Sequence, residues 1–421
     1  MKTPSPIWVV ICFVVIGITV TLGLYTILGF KSTNNFSDIQ VSSQKSSVVP
    51  SAISLSDKIQ LRAIWIATTL NIDFPSKPGL TVEAQKKELD VLLDKVKALG
   101  LNTVYFQVRG DADAQYKSNY FPWSEVLTGT QGKDPGYDPL EYCIEGAHKR
   151  ELRLEAWINP YRVQRIADIS KLAPNNPARL HTDWTYKDAG GGLYFDPGVP
   201  QVLELIQNGV MEIANGYNVD GIVFDDYFYP QSIFDDSVTF KKYAGNTQLD
   251  DWRRNNITSL ISSVHDKIKA FNITTKKALV FGVSPSGVWA NKSSNPAGSD
   301  TTAGCQSYYN LYADSRLWVK NGYLDYICPQ IYWQQGDKVA DYTKILDWWV
   351  SVVRGTGVRL YISHAAYKMD GGGFSANDIT NQLVAAAKYP EYKGSAFYGY
   401  EQLIANTGGV GNSITACFAK K

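Results

Sequence analysis

The sequence predicts an α/β protein, a (β/α)8 barrel of the TIM type with long βα loops, over residues 59–421. From residue 61 onward, short apolar runs alternate eight times with longer amphipathic segments, the pattern of parallel strands joined by crossover helices. The connections are also unequal. Helix-to-strand turns are short, as in Leu99-Gly100-Leu101, whereas strand-to-helix loops such as 110–138 and 160–199 are long. We therefore expect one end of the barrel to form a cleft that binds a large ligand.

The predicted strands are short runs rich in β-branched and aromatic residues, as expected of strands buried on both faces. They cover residues 62–67, 101–108, 153–158, the first half of 220–230, 279–283, 326–331, 359–362 and 395–398. The predicted helices are longer segments with apolar residues at helical spacing. They cover residues 83–99, 140–149, 200–216, 251–270, 309–320, 339–353 and 376–388.

The fourth strand leads directly into two carboxylates, Asp225 and Asp226, followed by Tyr227. Carboxylates are costly to bury without partners, so we expect them to open into a polar cleft. In parallel α/β proteins, ligands bind at the carboxyl ends of the strands. Since neighbouring residues on a strand point to opposite faces, one aspartate is expected to face the cleft and the other to orient a neighbour or cap the loop. A pair that only caps the next turn is the alternative.

The composition excludes several classes of function. A formal net charge of +1 argues against a nucleic-acid binder with a broad basic face. The five cysteines have no short paired spacings and the four histidines are dispersed, so we expect no metal and no disulfide scaffold. The sequence also has no phosphate-binding glycine loop, and we expect no cofactor. The eleven Trp and twenty-six Tyr are typical of carbohydrate-facing surfaces, although cores also use aromatic residues.

The N-terminus carries an almost unbroken apolar run over residues 7–30, flanked by Lys2 and Lys31. Its length suits a bilayer-spanning helix, and no small-residue cleavage site follows closely. We predict that residues 1–31 form an uncleaved signal anchor, with a cytoplasmic N-terminus and an exported body. Residues 32–58 are rich in Ser, Asn and Val without periodicity, which predicts a flexible linker.

Carboxylates surrounded by amides and aromatic rings are the pattern of glycoside hydrolysis, which needs one carboxyl group as acid and a second as nucleophile or base. Asp225 and Asp226 are the first candidates for catalysis, and Glu155 and Glu401 are the next. A carboxylate neighbour in a partly dry cleft raises the pKa of the acid, as the reaction requires.

The strand ends also supply side chains that we predict to bind the substrate: Gln107, Arg109, Trp157, Asn159, Tyr161, Arg162, Tyr227, Trp289, Gln330, Tyr332, Trp333 and Tyr367. Arg109 and Arg162 are candidates for substrate clamps or counter-ions, and a structural salt bridge across the barrel mouth is an equal alternative. Trp333 is a candidate sugar contact, but a Trp after a strand also often serves as a lid over the core.

Several motifs together resemble the bacterial glycosyl-hydrolase-like envelope family, first known as a domain of unknown function. They are QVR at 107–109, PWS at 122–124, AWINPYR at 156–162, DGIVFDDYFYP at 220–230, WRRNN at 252–256, SPSGVW at 284–289 and DYICPQIYW at 325–333. The family includes divisome-localised hydrolases that cut peptidoglycan glycan strands stripped of their stem peptides. The resemblance therefore implies a TIM-like barrel acting on envelope glycan. One departure is Glu155, which stands where the family leads us to expect His, so its role cannot be transferred.

The leading hypothesis is a bacterial, single-pass, membrane-anchored glycoside hydrolase whose exported domain cleaves peptidoglycan glycan strands or a related polysaccharide. The alternatives are a non-catalytic glycan-binding barrel and a hydrolase of an exopolysaccharide. The expected partners are thus a polysaccharide and, through the N-terminal helix, the membrane. Nucleic acid is not expected, and the sequence does not identify protein partners.

Overall fold

The structure is a computed structural model that describes residues 60–419. The predicted anchor at 1–31 and the predicted linker at 32–58 lie outside the described residues. Within residues 60–419, no helix is both long enough and apolar enough to cross a bilayer.

The described chain contains eleven strands, most of which are short and buried. In chain order they are β1 Leu61–Ile66, β2 Thr103–Arg109, β3 Arg153–Ile158, β4 Arg162–Gln164, β5 Thr185–Lys187, β6 Leu193–Phe195, β7 Gly221–Phe224, β8 Val280–Val283, β9 Tyr326–Ile327, β10 Arg359–Ala365 and β11 Tyr392–Tyr398.

Eight of these strands close into a barrel in the order β1-β11-β10-β9-β8-β7-β3-β2. Every neighbouring pair in it is parallel. The predicted eight-stranded parallel barrel is therefore confirmed. The other three strands form a small antiparallel sheet, β4-β6-β5, within the loop that follows β3.

The described chain also contains thirteen α-helices. They are α1 Val82–Ala98, α2 Glu125–Thr128, α3 Pro139–Lys149, α4 Pro177–Leu180, α5 Pro200–Gly216, α6 Ser237–Tyr243, α7 Leu249–Thr275, α8 Ser307–Asn310, α9 Ser315–Asn321, α10 Tyr342–Val353, α11 Ala376–Ala386, α12 Tyr400–Ile404 and α13 Val410–Phe418.

Two elements differ from the sequence prediction for local reasons. The sixth barrel strand, predicted over 326–331, is regular only over Tyr326–Ile327, because Pro329 has no N–H to donate to a ladder. The chain beyond it still pairs through isolated bridges at Gln330. The helix predicted over 309–320 is divided into α8 and α9, because the Asp314 carboxylate caps a new helix by accepting from the Leu317 N–H.

The barrel interior is filled largely by aromatic rings. Trp65 lies 4.5 Å from Tyr105 and 4.9 Å from Trp157 between ring centroids. Tyr326 takes the space beside Gly282, where an added Cβ would lie 2.0 Å from the ring. These rings form a closed floor beneath the carboxyl ends of the strands, as in other barrels whose interiors are packed with side chains.

Candidate active site

The two aspartates after β7 occupy different environments. Asp225 is 3% exposed. Its Oδ2 accepts a hydrogen bond from Trp157 Nε1 at 2.8 Å, and its Oδ1 accepts one from the Tyr227 N–H at 3.2 Å. Burial, followed by the charge of Asp226, raises the pKa of Asp225 to about 7. Asp225 is thus a buried carboxyl group that holds a proton near neutral pH.

Asp226 is partly exposed and opens toward the barrel mouth. Its Oδ1 accepts a hydrogen bond from Gln330 Nε2 at 3.2 Å, and the same nitrogen donates to the Ser284 carbonyl at 3.0 Å. Burial raises the pKa of Asp226 to about 6. Because the two carboxylates interact, they titrate as a pair that retains one proton between about pH 6 and pH 7.

Arg162 brings positive charge to the same mouth. Its Nε donates to Asp111 Oδ1 at 2.7 Å, and its guanidinium lies 4.8 Å from the ring centroid of Tyr227. The ring of Tyr227 is 40% exposed, so one face is available to a ligand. Arg165 lies nearby and donates to Thr69 Oγ1 at 3.2 Å from Nε and 3.1 Å from Nη2. The predicted site residues Arg162 and Tyr227 therefore lie together at the mouth.

Two predicted amides lie beside Trp157. Gln107 Oε1 accepts from the N–H groups of Thr68 and Thr69 at 2.9 Å each, and its Nε2 donates to Asn159 Oδ1 at 2.7 Å. The Asn159 Nδ2 is buried and has no hydrogen-bond partner within residues 60–419. Gln107 thus orients Asn159, whose amide nitrogen is enclosed by the protein.

Three tyrosines continue the wall of the mouth. The Tyr332 ring lies 5.9 Å from that of Tyr367, which lies 5.6 Å from that of Tyr398. The Tyr332 hydroxyl and Ser363 Oγ are 3.0 Å apart, and Ser363 Oγ also accepts from Trp65 Nε1 at 3.1 Å. The predicted Tyr332 and Tyr367 are therefore fixed above the aromatic floor.

Asp73, which the sequence analysis did not single out, adds a carboxylate beyond β1. Its Oδ2 accepts from the Ala67 N–H at 2.7 Å. Burial raises the pKa of Asp73 to about 7, and the charge of Glu401 acts in the same direction. The charge of Asp73 in turn raises the pKa of Tyr398, in addition to the larger effect of burial. The predicted Glu401 is exposed in the first turn of α12, so it lies at the rim near Asp73.

Glu155 lies elsewhere, and its prediction as a cleft residue needs correction. It is 1% exposed. Its Oε2 accepts from the Tyr326 hydroxyl at 2.5 Å, and its Oε1 lies 3.6 Å from Arg153 Nη2. Glu155 is the third residue of β3 and faces the same side as Trp157, so it lies deeper in the barrel and beneath the aromatic floor. It has no access to a substrate at the mouth.

Arg109 also lies away from the mouth. The register of β2 with β3 shifts between Gln107 and Arg109, so two residues of β2 oppose one of β3 and the alternation of faces is broken. The Arg109 guanidinium consequently lies outside the barrel, 3.9 Å from the centroid of Phe121 and against Gly209 of α5. Arg109 is a buried structural cation, not a substrate clamp.

Three more predicted sugar contacts pack within the protein. Tyr161 is buried in the outer core. Trp289 is buried and donates from Nε1 to Asp314 Oδ1 at 3.0 Å. Trp333 is partly buried and packs against the outer core, which matches the lid alternative. Among residues 60–419, no group of three or more His, Cys, Asp or Glu is arranged to hold a metal ion.

The sequence analysis missed Asp73, Asp111, Arg165 and Tyr398. The available signal was their position, since each lies at or shortly after the end of a strand that leads into a long loop or closes the barrel. A survey of polar residues at and shortly after the predicted strands would have included Asp111 and Tyr398, whereas Asp73 and Arg165 lie farther along their loops.

Comparison with known proteins shows the family. Residues 60–378 match the sequence model of the family described as glycosyl hydrolase-like 10. The chain is 43% identical over 367 residues to the glycosyl hydrolase YngK of Bacillus subtilis (strain 168). This similarity covers 85% of this chain and 71% of the relative. It is 41% identical over 340 residues to the glycosyl hydrolase DigH of Escherichia coli (strain K12), which covers 76% of each.

Solved structures show the same architecture. The glycoside hydrolase domain of PgaB (BpsB) from Bordetella bronchiseptica is similar with a TM-score of 0.55 and 14% identity, over 86% of this chain and 99% of that chain. The α-L-fucosidase isoenzyme 2 of Paenibacillus thiaminolyticus has a TM-score of 0.51 and 13% identity, over 86% of this chain and 49% of that chain. At these identities the similarity shows the fold alone. The match of the family model and the identity to two relatives establish that this chain belongs to the glycosyl hydrolase-like 10 family.

Proposed function

We propose that the protein is a glycoside hydrolase in which Asp226 donates the proton to the leaving oxygen. The observation that carries this proposal is the coupled pair of Asp225 and Asp226, which holds a proton near neutral pH at the mouth of the barrel. Asp226 is the more exposed of the two and so has access to a glycosidic oxygen. Asp225 is fixed by Trp157, and the coupled pair shares the proton that Asp226 presents to the leaving oxygen. General acid catalysis of this kind requires a carboxyl group with a raised pKa.

Asp73 is the best candidate for the second carboxylate. It follows β1, and two strands, β2 and β3, separate β1 from β7 in the barrel order. Asp73 and Asp226 therefore approach the mouth from different sides, whereas Asp225 and Asp226 come from one loop. A sugar bound between them would meet an acid on one side and a base or nucleophile on the other. The carboxylate separation with substrate bound would then indicate the outcome, about 5–5.5 Å for retention and about 6.5–9.5 Å for inversion.

The mouth also has the chemistry of a sugar site. The exposed part of Tyr227 offers a surface for the apolar face of a pyranose ring, and the positive charge of Arg162 lies behind that ring. Carboxyl groups with raised pKa values that lie together at a mouth are frequent at catalytic sites. This supports the enzyme over the non-catalytic alternative.

We propose peptidoglycan glycan strands, stripped of their stem peptides, as the substrate, and the bacterial cell membrane as the location. The support is the motif resemblance to envelope hydrolases together with the apolar run at 7–30, which would hold an exported barrel close to the cell wall. A related exopolysaccharide is the second candidate. Membrane fractionation and protease protection of the full chain, with deletion of residues 1–31 as the comparison, test the location.

The activity is tested by digestion of amidase-treated glycan strands and of a purified exopolysaccharide, with product masses as the readout. Wild type is expected to shorten the glycan strands, and Asp226→Asn is expected to lose about 10²–10⁴ of the rate while binding persists. Asp250→Asn is the matched control, because Asp250 is an exposed aspartate at the start of α7. Full activity of both Asp225→Asn and Asp226→Asn would refute the assignment, and cleavage of the exopolysaccharide alone would refute the substrate.

A further inference from the structure

Arg165 is a cation at the mouth that has no carboxylate partner. It directly follows β4 and is partly exposed. Its Nε and Nη2 both donate to Thr69 Oγ1. The other N–H groups of its guanidinium have no partner within residues 60–419, and Arg165 forms no ion pair there. These N–H groups are therefore available to a ligand.

The neighbouring Arg162, by contrast, is engaged within the protein. Its Nε donates to Asp111 Oδ1 at 2.7 Å, and its Nη2 donates to the Gly110 carbonyl at 2.7 Å. Its guanidinium also stacks on the ring of Tyr227. Asp111 is thus bonded to Arg162, and the charge of Arg165 is left without a bonded counter-ion.

The environment of Arg165 disfavours its charge. Burial lowers the pKa of Arg165, and the positive charge of Arg162 lowers it further. A bound anion would offset both effects, because its negative charge favours the charged guanidinium. A carboxylate suits this position best, since it accepts from a guanidinium in short, charge-assisted hydrogen bonds.

The position of Arg165 is fixed before any ligand binds. Gln107 is buried, and its Oε1 accepts from the N–H groups of Thr68 and Thr69 at 2.9 Å each. Thr69 in turn holds the Arg165 guanidinium through its hydroxyl oxygen. A preorganised cation loses less conformational entropy on binding than a free surface arginine does.

Arg165 is also close to the residues that flank the catalytic pair. Burial raises the pKa of Tyr227 and Asp226 raises it further, whereas the charge of Arg165 lowers it. Burial likewise raises the pKa of Tyr398, and Arg165 again acts in the opposite direction. The Tyr227 hydroxyl is therefore within electrostatic range of both Asp226 and Arg165. A sugar that stacks on the Tyr227 ring would have both groups nearby.

The proposed substrate carries the anion that this cation needs. Removal of a stem peptide hydrolyses an amide and leaves a free carboxylate on the glycan strand. A uronic acid in an exopolysaccharide would supply the same group. The carboxyl groups of the mouth oppose such a ligand only weakly, because the Asp225 and Asp226 pair retains a proton near neutral pH.

We infer that Arg165 is a specificity-determining residue, which binds a carboxylate of the glycan through the N–H groups that Thr69 leaves free. The inference rests on the proposed function, since it names a substituent of the same substrate. It also gives a physical reason for a preference for stripped strands, because a stem peptide would mask this carboxylate as a neutral amide.

The test measures binding to the full-length Asp226→Asn protein, so that it does not depend on turnover. The labelled ligands are amidase-treated glycan fragments and a glucuronate hexamer, each as the free acid and as its methyl ester. The ester removes the charge and adds only one methyl group. Arg165→Gln and Arg165→Lys are made in this protein. Lys187→Gln is the matched control, because it removes one positive charge at an exposed position of β5 in the same small sheet. Thermal melting of each variant confirms that it is folded.

The Asp226→Asn protein should bind at least one free acid more tightly than its ester by about tenfold or more, the gain expected of a charged hydrogen bond. Arg165→Gln should bring this ratio to about one, the value expected when the charge of the ligand no longer matters. Arg165→Lys should retain part of it, since lysine keeps the charge without the planar fork. Lys187→Gln should leave the ratio unchanged. The acid that shows the effect identifies the source of the carboxylate.

Equal binding of acid and ester, or a ratio that persists in Arg165→Gln, would overturn the inference. So would an equal loss of both ligands in Arg165→Gln, because that is the result of a purely structural role. A wild-type protein that cleaves no glycan, while the ratio still depends on Arg165, would refute the proposed hydrolase and leave this inference standing.

Discussion

Replacing Glu155 with glutamine should stabilise the protein at neutral and alkaline pH. The carboxyl group is buried, and burial raises its pKa from the ordinary 4.5 to about 7, although the Tyr326 hydroxyl and Arg153 favour the charged form. Glutamine has nearly the same shape and keeps an oxygen that accepts from Tyr326. The variant therefore removes the cost of a buried charge without opening a cavity.

The magnitude and its pH window follow from the two pKa values. Each pKa unit corresponds to about 1.4 kcal/mol, so a rise from 4.5 to about 7 costs about 3 kcal/mol once Glu155 is ionised. Below pH 4.5 the group is protonated in both the folded and the unfolded chain, and the cost is absent. It grows between pH 4.5 and pH 7 as the unfolded chain ionises first, and it is complete above pH 7.

Urea denaturation of the full-length protein at pH 4, 6 and 8 measures this dependence. Glu155→Gln should match wild type at pH 4 and exceed its free energy of unfolding by up to about 3 kcal/mol at pH 8. Its glycan cleavage should be unchanged, since Glu155 lies beneath the floor of the mouth. Glu204→Gln, at an exposed position of α5, should show no such dependence. An equal difference at all three pH values, or a less stable variant at pH 8, would refute the reasoning.

Three further predictions concern the mouth and the barrel interior. The profile of kcat/KM against pH should be a narrow bell centred between about pH 6 and pH 7. Activity should fall on the alkaline side because the Asp225 and Asp226 pair loses its proton, and on the acid side because Asp73 gains one. A flat profile from pH 5 to pH 9 would contradict this. Asp73→Asn should reduce turnover and remove the acid limb of the pH profile. Added azide, as a substitute nucleophile, should restore part of the activity. An unchanged rate would exclude Asp73 as the second catalytic carboxylate. Gly282→Ala should destabilise the fold by about 3 kcal/mol or more, since the new Cβ meets the ring of Tyr326 at 2.0 Å. Partial recovery of stability when Tyr326→Ala is added would identify this clash as the cause. A normal melting temperature of Gly282→Ala would disprove the prediction.

The barrel was predictable because its signal is repeated. Eight runs of strand-forming residues alternate with amphipathic helices, and an error in one of them leaves the others intact. The small β4-β6-β5 sheet was not predictable, because its strands have three residues each and show no periodicity in the sequence. The division of the predicted helix 309–320 could have been inferred from Asp314, a typical N-cap residue, but the continuous apolar pattern favoured a single helix.

The position of a candidate site residue was predictable where it directly follows a strand, as Asp225 and Asp226 follow β7. The depth of a residue within the barrel was not predictable. Glu155 was predicted to lie at the rim, although it is only the third residue of β3 and lies deep in the barrel. The side on which Arg109 emerges depends on a register shift against β3, which no local pattern in β2 reveals. Asp73 was missed because it lies six residues beyond the last residue of the predicted first strand, outside the segment surveyed.

The aromatic floor restricts how a polymer can bind to this protein. Trp65, Tyr105 and Trp157 close the barrel from below, so a chain has no exit through its axis. If the proposed function holds, a glycan strand would lie across the top, with both of its ends in solvent. A closed floor therefore requires both products of cleavage to leave on the side where the substrate enters.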